Sequence, residues 1–252
     1  MYSSLNDSLE PVSRLTFIPG WVVDDLLLEI GPGAHPQFRG PLIEYFDLMN
    51  AEEMKTRYAD IGDDPDGVPD NIHYFSRAGS FDVVPDARFA TVLSCHNIEH
   101  HPCLVQHLRD VSRVLKPGGA YAILAPDHRY CFDHAYPTST VADVIGAWAD
   151  RRTTHEPRKI IRQRLGFSHN DFTRHWAGDH GEPVGIPLAD AIAGLDGDAR
   201  DHMDVHAWQL TPQSFAEIVV GLYEVGLTDL RPEMVGDTPQ GSQEFCAVLR
   251  KD

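Results

Sequence analysis

Apolar residues along the chain fall into two alternating patterns. Leu26 to Ile30, Leu42 to Phe46, Ala90 to Cys95 and Tyr121 to Ala125 are short, nearly unbroken apolar runs of the kind that strands buried on both faces require, with Asn71 to Phe75 a weaker fifth. Between these runs the period changes. Ala51 to Tyr58 has the Glu and Lys content of a short helix, and Pro102 to Leu115 sets Leu104, Leu108, Val111 and Leu115 on one helical face before Lys116-Pro117-Gly118-Gly119 closes it. After Thr211, Pro212 opens another helix whose apolar pattern runs through Leu222, and Leu227 to Met234 and Phe245 to Leu249 read as two final strands. This order predicts an α/β fold built on a doubly wound, mostly parallel seven-stranded sheet, with ligands at the carboxyl ends of the strands.

Two segments interrupt the pattern. Only about a dozen residues join the first two strands, near the minimum for a parallel crossover, so any helix there is a turn or two long. From 126 to 208 the alternation stops altogether, and a stretch rich in His, Asp, Arg, Gly and Pro takes over. Structureless loops of that length are uncommon inside compact domains, so residues 126–208 are expected to form a partly helical insertion or lid within one domain spanning 1–252.

The leading candidate for chemistry is Leu26-Leu-Leu-Glu-Ile-Gly-Pro-Gly33. Gly31 and Gly33, with Pro32 between them in the same candidate binding loop, permit a tight turn with close backbone approach to a ligand, and Glu29 places within the apolar run a carboxylate that needs partners. Asp47, ending the second strand, has the position from which an acid reads the two hydroxyls of a ribose.

Two stretches taken together carry a resemblance. Val92-Leu-Ser-Cys-His-Asn-Ile-Glu-His100, continued by Arg113-Val-Leu-Lys-Pro-Gly-Gly119, with Glu29-Ile-Gly-Pro-Gly33 upstream, resembles the class I S-adenosylmethionine-dependent methyltransferases. Pro126-Asp-His-Arg-Tyr-Cys-Phe-Asp-His134 is similar to a sub-branch found with polysaccharide and natural-product pathways. The resemblance implies a Rossmann-like sheet closed by an antiparallel hairpin, S-adenosylmethionine as cofactor, and a sugar or natural-product hydroxyl as acceptor, with a small-molecule amine as the alternative. A catalytically silent cofactor binder is the rival of another class. The resemblance also implies adenine contacts at Ser80 and Phe81, and Ser94, Cys95 and His96 at the amino-acid end of the cofactor. His100 is the first choice for a general base, His134 the second, and His206, where the family's lid returns, the third. Two departures stand out: the first crossover is short, which shifts the expected grip to the backbone amides of Gly31 to Ala34, and Ala90 stands where many relatives carry Asp.

The remaining features narrow the picture. His96-Asn-Ile-Glu-His100 also spells H-x-x-E-H, a zinc-protease pattern, but Pro102 starts the helix only after it, and no second ligand pair has zinc-site spacing. His175, Asp179, His180, Asp201, His202, Asp204 and His206 enrich the insertion in oxygen and nitrogen donors. A divalent metal is compatible with them and is not the expectation. Arg151, Arg152, Arg158, Lys159, Arg162 and Arg164 are read first as a solvated helix face and second as an anion site. A formal charge of -17, with 38 acidic against 21 basic residues among 252, argues against a nucleic-acid partner. No apolar stretch is long enough to span a bilayer, and the start lacks a secretory pattern, which predicts a cytoplasmic protein with no membrane partner and leaves a homo-oligomer open. Cys95, Cys103, Cys131 and Cys246 are expected as thiols.

Overall fold

The computed structural model describes residues 9–193, 195 and 205–252, so Asp201, His202 and Asp204 lie outside the described residues. After a short helix α1 (Arg14–Phe17), the chain enters β1 (Leu27–Ile30) and passes without a helix to β2 (Ile43–Asp47). Helix α2 (Ala51–Asp60), capped by Asn50 and Glu53, leads to β3, which spans only Tyr74–Phe75 and is shorter than the apolar run before it. Then follow β4 (Phe89–Cys95), α3 (Leu104–Val114), β5 (Leu115–Pro126), helices α4 (Val141–Ala149), α5 (Pro157–Gly166), α6 (Phe172–Trp176) and α7 (Leu188–Ile192), and finally α8 (Pro212–Glu224), β6 (Leu230–Val235) and β7 (Glu244–Lys251).

The sheet runs β3-β2-β1-β4-β5-β7-β6. All pairings are parallel except those of β7, which lies antiparallel between β5 and β6. This is the Rossmann-like sheet with a reversed terminal pair that the sequence predicts. Its strand order reverses between β1 and β4, where the crossovers leave in opposite directions and open a crevice. One expectation is corrected: Lys116 to Gly119 does not separate helix from strand. β5 begins at Leu115, and the register jumps from Phe89 opposite Leu115 to Thr91 opposite Ala120, so these residues form a bulge within the strand, with Gly118 at φ 75°.

The two faces of the sheet are covered differently. Leu28, Ile30, Val92 and Tyr121 pack under α3, α4 and α8 in the larger core. Leu27, Ile43, Leu93 and Ala122 face the other way and are covered by Phe17 and α2, with Trp21 packed beside them. The lead-in segment thus supplies the cover that a helix in the first crossover would otherwise give. No helix among the described residues is long and apolar enough to cross a membrane.

Inside the larger core runs a polar chain. Ser94 shares a 2.7 Å hydrogen bond with the Tyr121 hydroxyl, which bonds His107 Nε2 at 2.8 Å, and His107 stacks on His101 with 3.7 Å between centroids. Burial drives the His107 imidazole well below its ordinary value, so it is neutral. Replacing Tyr121 by Phe removes the hydroxyl that both neighbours use, and unfolding titrations are expected to show a loss of about 1–3 kcal/mol.

Candidate functional site

The glycine loop sits at the mouth of the crevice. Gly31 and Gly33 have φ of 65° and 53°, a region that L side chains rarely adopt. A Cβ on Gly33 would lie 2.5 Å from the Tyr58 hydroxyl, and one on Gly31 would lie 3.0 Å from Asn97 Nδ2. The amide of Gly31 is not available to a ligand, contrary to expectation, because it donates to the Phe46 carbonyl at 2.9 Å and extends the β1–β2 ladder. The loop is backed by Gly67, whose Cβ would fall 1.9 Å from the Ala34 carbonyl oxygen.

Glu29 is 2% exposed and accepts from the amides of Gln37 and Phe38 at 2.7 and 3.2 Å, so the first crossover folds back onto its own strand through this carboxylate. Burial outweighs those bonds and pushes its carboxyl up to about 7. Asp47 ends β2 and binds the amides of Leu48 and Met49 through Oδ1, and burial raises it to about 6. A buried acid with a raised value is most stabilising when protonated, so Glu29's contribution is complete below pH 4.5 and is lost as pH rises through 7. The cofactor-free protein is therefore expected to lose about 3 kcal/mol on titration from pH 4.5 to 8 through this group, and Glu29→Gln should flatten that slope in denaturation series.

Several expected contacts sit elsewhere. Ser80 caps a 3-10 turn by accepting from the Asp82 amide, and Phe81 is 2% exposed, its ring 4.4 Å from that of Phe46. Phe81 therefore serves the core and presents no open face for an adenine. Ser94 belongs to the buried chain described above. Cys95 and His96 do reach the mouth, where they meet Arg14 and Glu244, two residues that no local motif marks. Arg14 bonds Glu244 through Nε and Nη2, Gln37 through Nη1, and Cys95 Sγ at 2.9 Å, and His96, at φ 47°, donates to Glu244 at 2.8 Å. Burial opposes ionisation of Glu244, but the bonds from Arg14 and His96 hold its carboxyl at about 2.

Beyond β4 the histidines divide. Ile98 to His100 form a 3-10 turn, and the Glu99 carbonyl accepts the amides of Ala207 and Trp208 at 2.7 and 3.2 Å, which brings the returning insertion over this turn. Trp208 Nε1 adds a 2.7 Å bond to the His101 carbonyl. His206 is thereby set against His100, ring centroids 4.9 Å apart and nearly perpendicular. His206 Nδ1 donates to Asp133 at 3.0 Å, which leaves Nε2 of the neutral ring as acceptor. Asp133 also receives Cys131 and Gln209, and these bonds, with His206's first among them, keep its carboxyl below the usual range against the effect of burial.

His134 does not join them. It lies 4.0 Å from the His180 ring and 5.5 Å from His175, and burial together with those neighbours lowers it to about 4, too weak a base for neutral pH. His175 is bonded to His180 and to the His169 carbonyl, Asp179 pairs with Arg174, and His206 is held by Asp133, so among the described residues the insertion's expected donors do not converge on one centre. The basic stretch is largely occupied: Arg152 and Arg158 pair with Glu156, Lys159 donates to Gln209, and Arg164 binds the carbonyls of Ala191 and Ala193.

No family model matches the sequence, and no curated protein does. Among solved structures the chain is similar to the DszA carbon methyltransferase, with 16% identity, 93% of this chain and 50% of that chain covered and a TM-score of 0.42. It is also similar to an S-adenosylmethionine-dependent methyltransferase from Mesorhizobium loti, with 14% identity, 90% of each chain and a TM-score of 0.42. A geranyl diphosphate C-methyltransferase from Streptomyces coelicolor is 17% identical over 91% of this chain and 71% of that one, with a TM-score of 0.35. The chain spans half the length of the first of these.

Proposed function

We propose that the chain is an S-adenosylmethionine-dependent methyltransferase that methylates an oxygen of a small-molecule or glycan acceptor. The observation that carries this reading is the juxtaposition, at one switch point, of a positive-φ glycine turn, a buried acid on β1, an acid ending β2, and a histidine pair beyond β4. The residues fit the cofactor: the left-handed φ of Gly31 and Gly33 forms a turn without side chains at the end of β1, closed behind by Asn97 and Tyr58, and Asp47 is an acid suited to a ribose diol. Glu29 organises the crossover that lines the same mouth, and Arg14 adds a guanidinium there. When bound, the cofactor supplies an electrophilic methyl group on a positively charged sulfur.

The protein's own part is positioning and proton handling. The turn at Ile98–His100 and the return at Val205 to Trp208 place the two imidazoles on the carboxyl-end side of β4. Asp133 fixes the His206 tautomer, so that Nε2 can take the proton an acceptor hydroxyl must lose. Phe132, 4.6 Å from the His206 ring, and Trp208 limit water around it.

Calorimetric titration with S-adenosylmethionine and with its demethylated product tests the reading directly. Binding of both to one site is the expected result, followed by methyl transfer from labelled cofactor to a panel of glycosides and phenols. Absence of binding by either compound sinks the proposal.

A further inference from the structure

Glu99 is the one acid of the H-x-x-E-H stretch and is 0% exposed. Among the described residues neither carboxylate oxygen has a hydrogen-bond partner. A buried carboxylate in that condition is costly unless a cation meets it. Two imidazole nitrogens come close without satisfying it: His100 Nε2 lies 3.4 Å from Oε1 and His206 Nε2 lies 3.9 Å from the same oxygen. One donor atom from each of the three residues falls within 4.8 Å of the others. Around a tetrahedral ion with bonds of about 2.0–2.1 Å, ligand atoms stand about 3.4 Å apart, the separation that His100 Nε2 already has from Glu99 Oε1, while His206 Nε2 at 3.9 Å stands slightly further out.

Three further features belong to a built site. His206 donates Nδ1–H to Asp133, which aims Nε2 inward, the arrangement by which an outer carboxylate orients a ligating imidazole. The Glu99 carbonyl is tied to the insertion's return, so backbone holds two of the donors in register. The side chain of His100 is 30% exposed whereas that of His206 is 9%, which leaves an approach from one side for an exchangeable ligand.

Neither of the other two trios among the described residues competes: Cys131, Asp133 and His206 are joined by their own hydrogen bonds to Asp133, through His206 Nδ1 and not Nε2. Cys95, His96 and Glu244 are also near one another, but Arg14 already binds Cys95 and Glu244, and a guanidinium there excludes a second cation.

We infer that Glu99, His100 and His206 form a binding site for a divalent first-row transition cation such as Zn2+ or Fe2+, positioned by Asp133 and open on the His100 side. Two neutral nitrogens and one carboxylate suit those ions, whereas Mg2+ and Ca2+ prefer oxygen donors. The site joins only Glu99 and His100 of the sequence pattern to a histidine more than a hundred residues later, with His96 turned away to Glu244. The inference bears on the proposed methyl transfer only in what the ion does: next to the histidine pair it is placed to bind an acceptor's oxygen, and in that state His206 Nε2 is a ligand and not a base. Ion binding itself stands on the geometry alone.

The test uses full-length protein stripped with a chelator. Zn2+ is titrated by calorimetry, and Co2+ is followed by the visible absorption that four- or five-coordinate cobalt displays. One site is expected. Binding should vanish in Glu99→Gln and in His206→Gln, weaken about 10- to 100-fold in Asp133→Asn, and persist in His96→Gln. Circular dichroism checks that each variant folds, and Glu99→Gln, which removes a buried charge, is the variant most suited to keep the fold. No binding of either ion, or binding that survives both Glu99→Gln and His206→Gln, overturns the inference. The same samples are titrated with the demethylated cofactor. Ion binding without cofactor binding keeps the site and removes the methyltransferase reading, and the reverse result removes the site alone.

Discussion

Gly33→Val is expected to abolish binding of the cofactor while leaving the protein folded. At φ 53° any side chain costs about 1–2 kcal/mol, a β-branched one more, and the Cβ would also stand 2.5 Å from the Tyr58 hydroxyl. The loop can relieve both by leaving its tight turn, since it lies at the end of β1 and not within the sheet. Escape moves the backbone into the volume a ligand needs against it. Gly67→Ala tests the same loop from behind, because its Cβ meets the Ala34 carbonyl at 1.9 Å and the Ala34 backbone must yield. Calorimetry with the demethylated cofactor should find affinity lowered more than about a hundredfold in Gly33→Val, a loss of roughly 2.7 kcal/mol, and a smaller loss in Gly67→Ala. Melting temperatures should fall by only a few degrees. Wild-type affinity in Gly33→Val, with the fold intact, shows that the loop is a turn and nothing more.

The way the loop is held also marks where sequence reasoning reached its limit. Strands buried on both faces announce themselves as continuous apolar runs, so β1, β2, β4 and β5 were legible, and Leu104, Leu108 and Val111 marked the buried face of α3. Lys116 to Gly119 misled because Pro and Gly signal a stop whether the chain ends a helix or bulges a strand. The seat of Phe81 followed from position along the chain, but which way its ring turned depended on Phe46 and His107, residues on other elements. Long-range pairings were invisible for the same reason. Arg14 meets Glu244 across 230 residues, and Asp133 serves His206 across 73. Asp133 and His134 lie in a turn after β5, and local sequence cannot say which of the two finds the returning chain.

That division among the histidines carries the largest rate effect. His206→Asn should lower kcat by about 10²–10⁴ with little change in cofactor affinity, because Nε2 is lost whether it takes a proton or holds an ion, and the glycine loop is untouched. His134→Gln should keep near-normal kcat, since that ring packs on His180 and His175. Asp133→Asn should fall between them. An amide can accept the Nδ1 proton but does not stabilise a charged imidazole, so the rate is reduced while the ring keeps its place. The split between constants is the decisive readout: a structural role for His206 would raise KM and lower stability together with kcat, whereas a role at the reacting oxygen lowers kcat at unchanged cofactor Kd. Loss of activity in His134→Gln with full activity in His206→Asn would move the chemistry to the other side of the insertion.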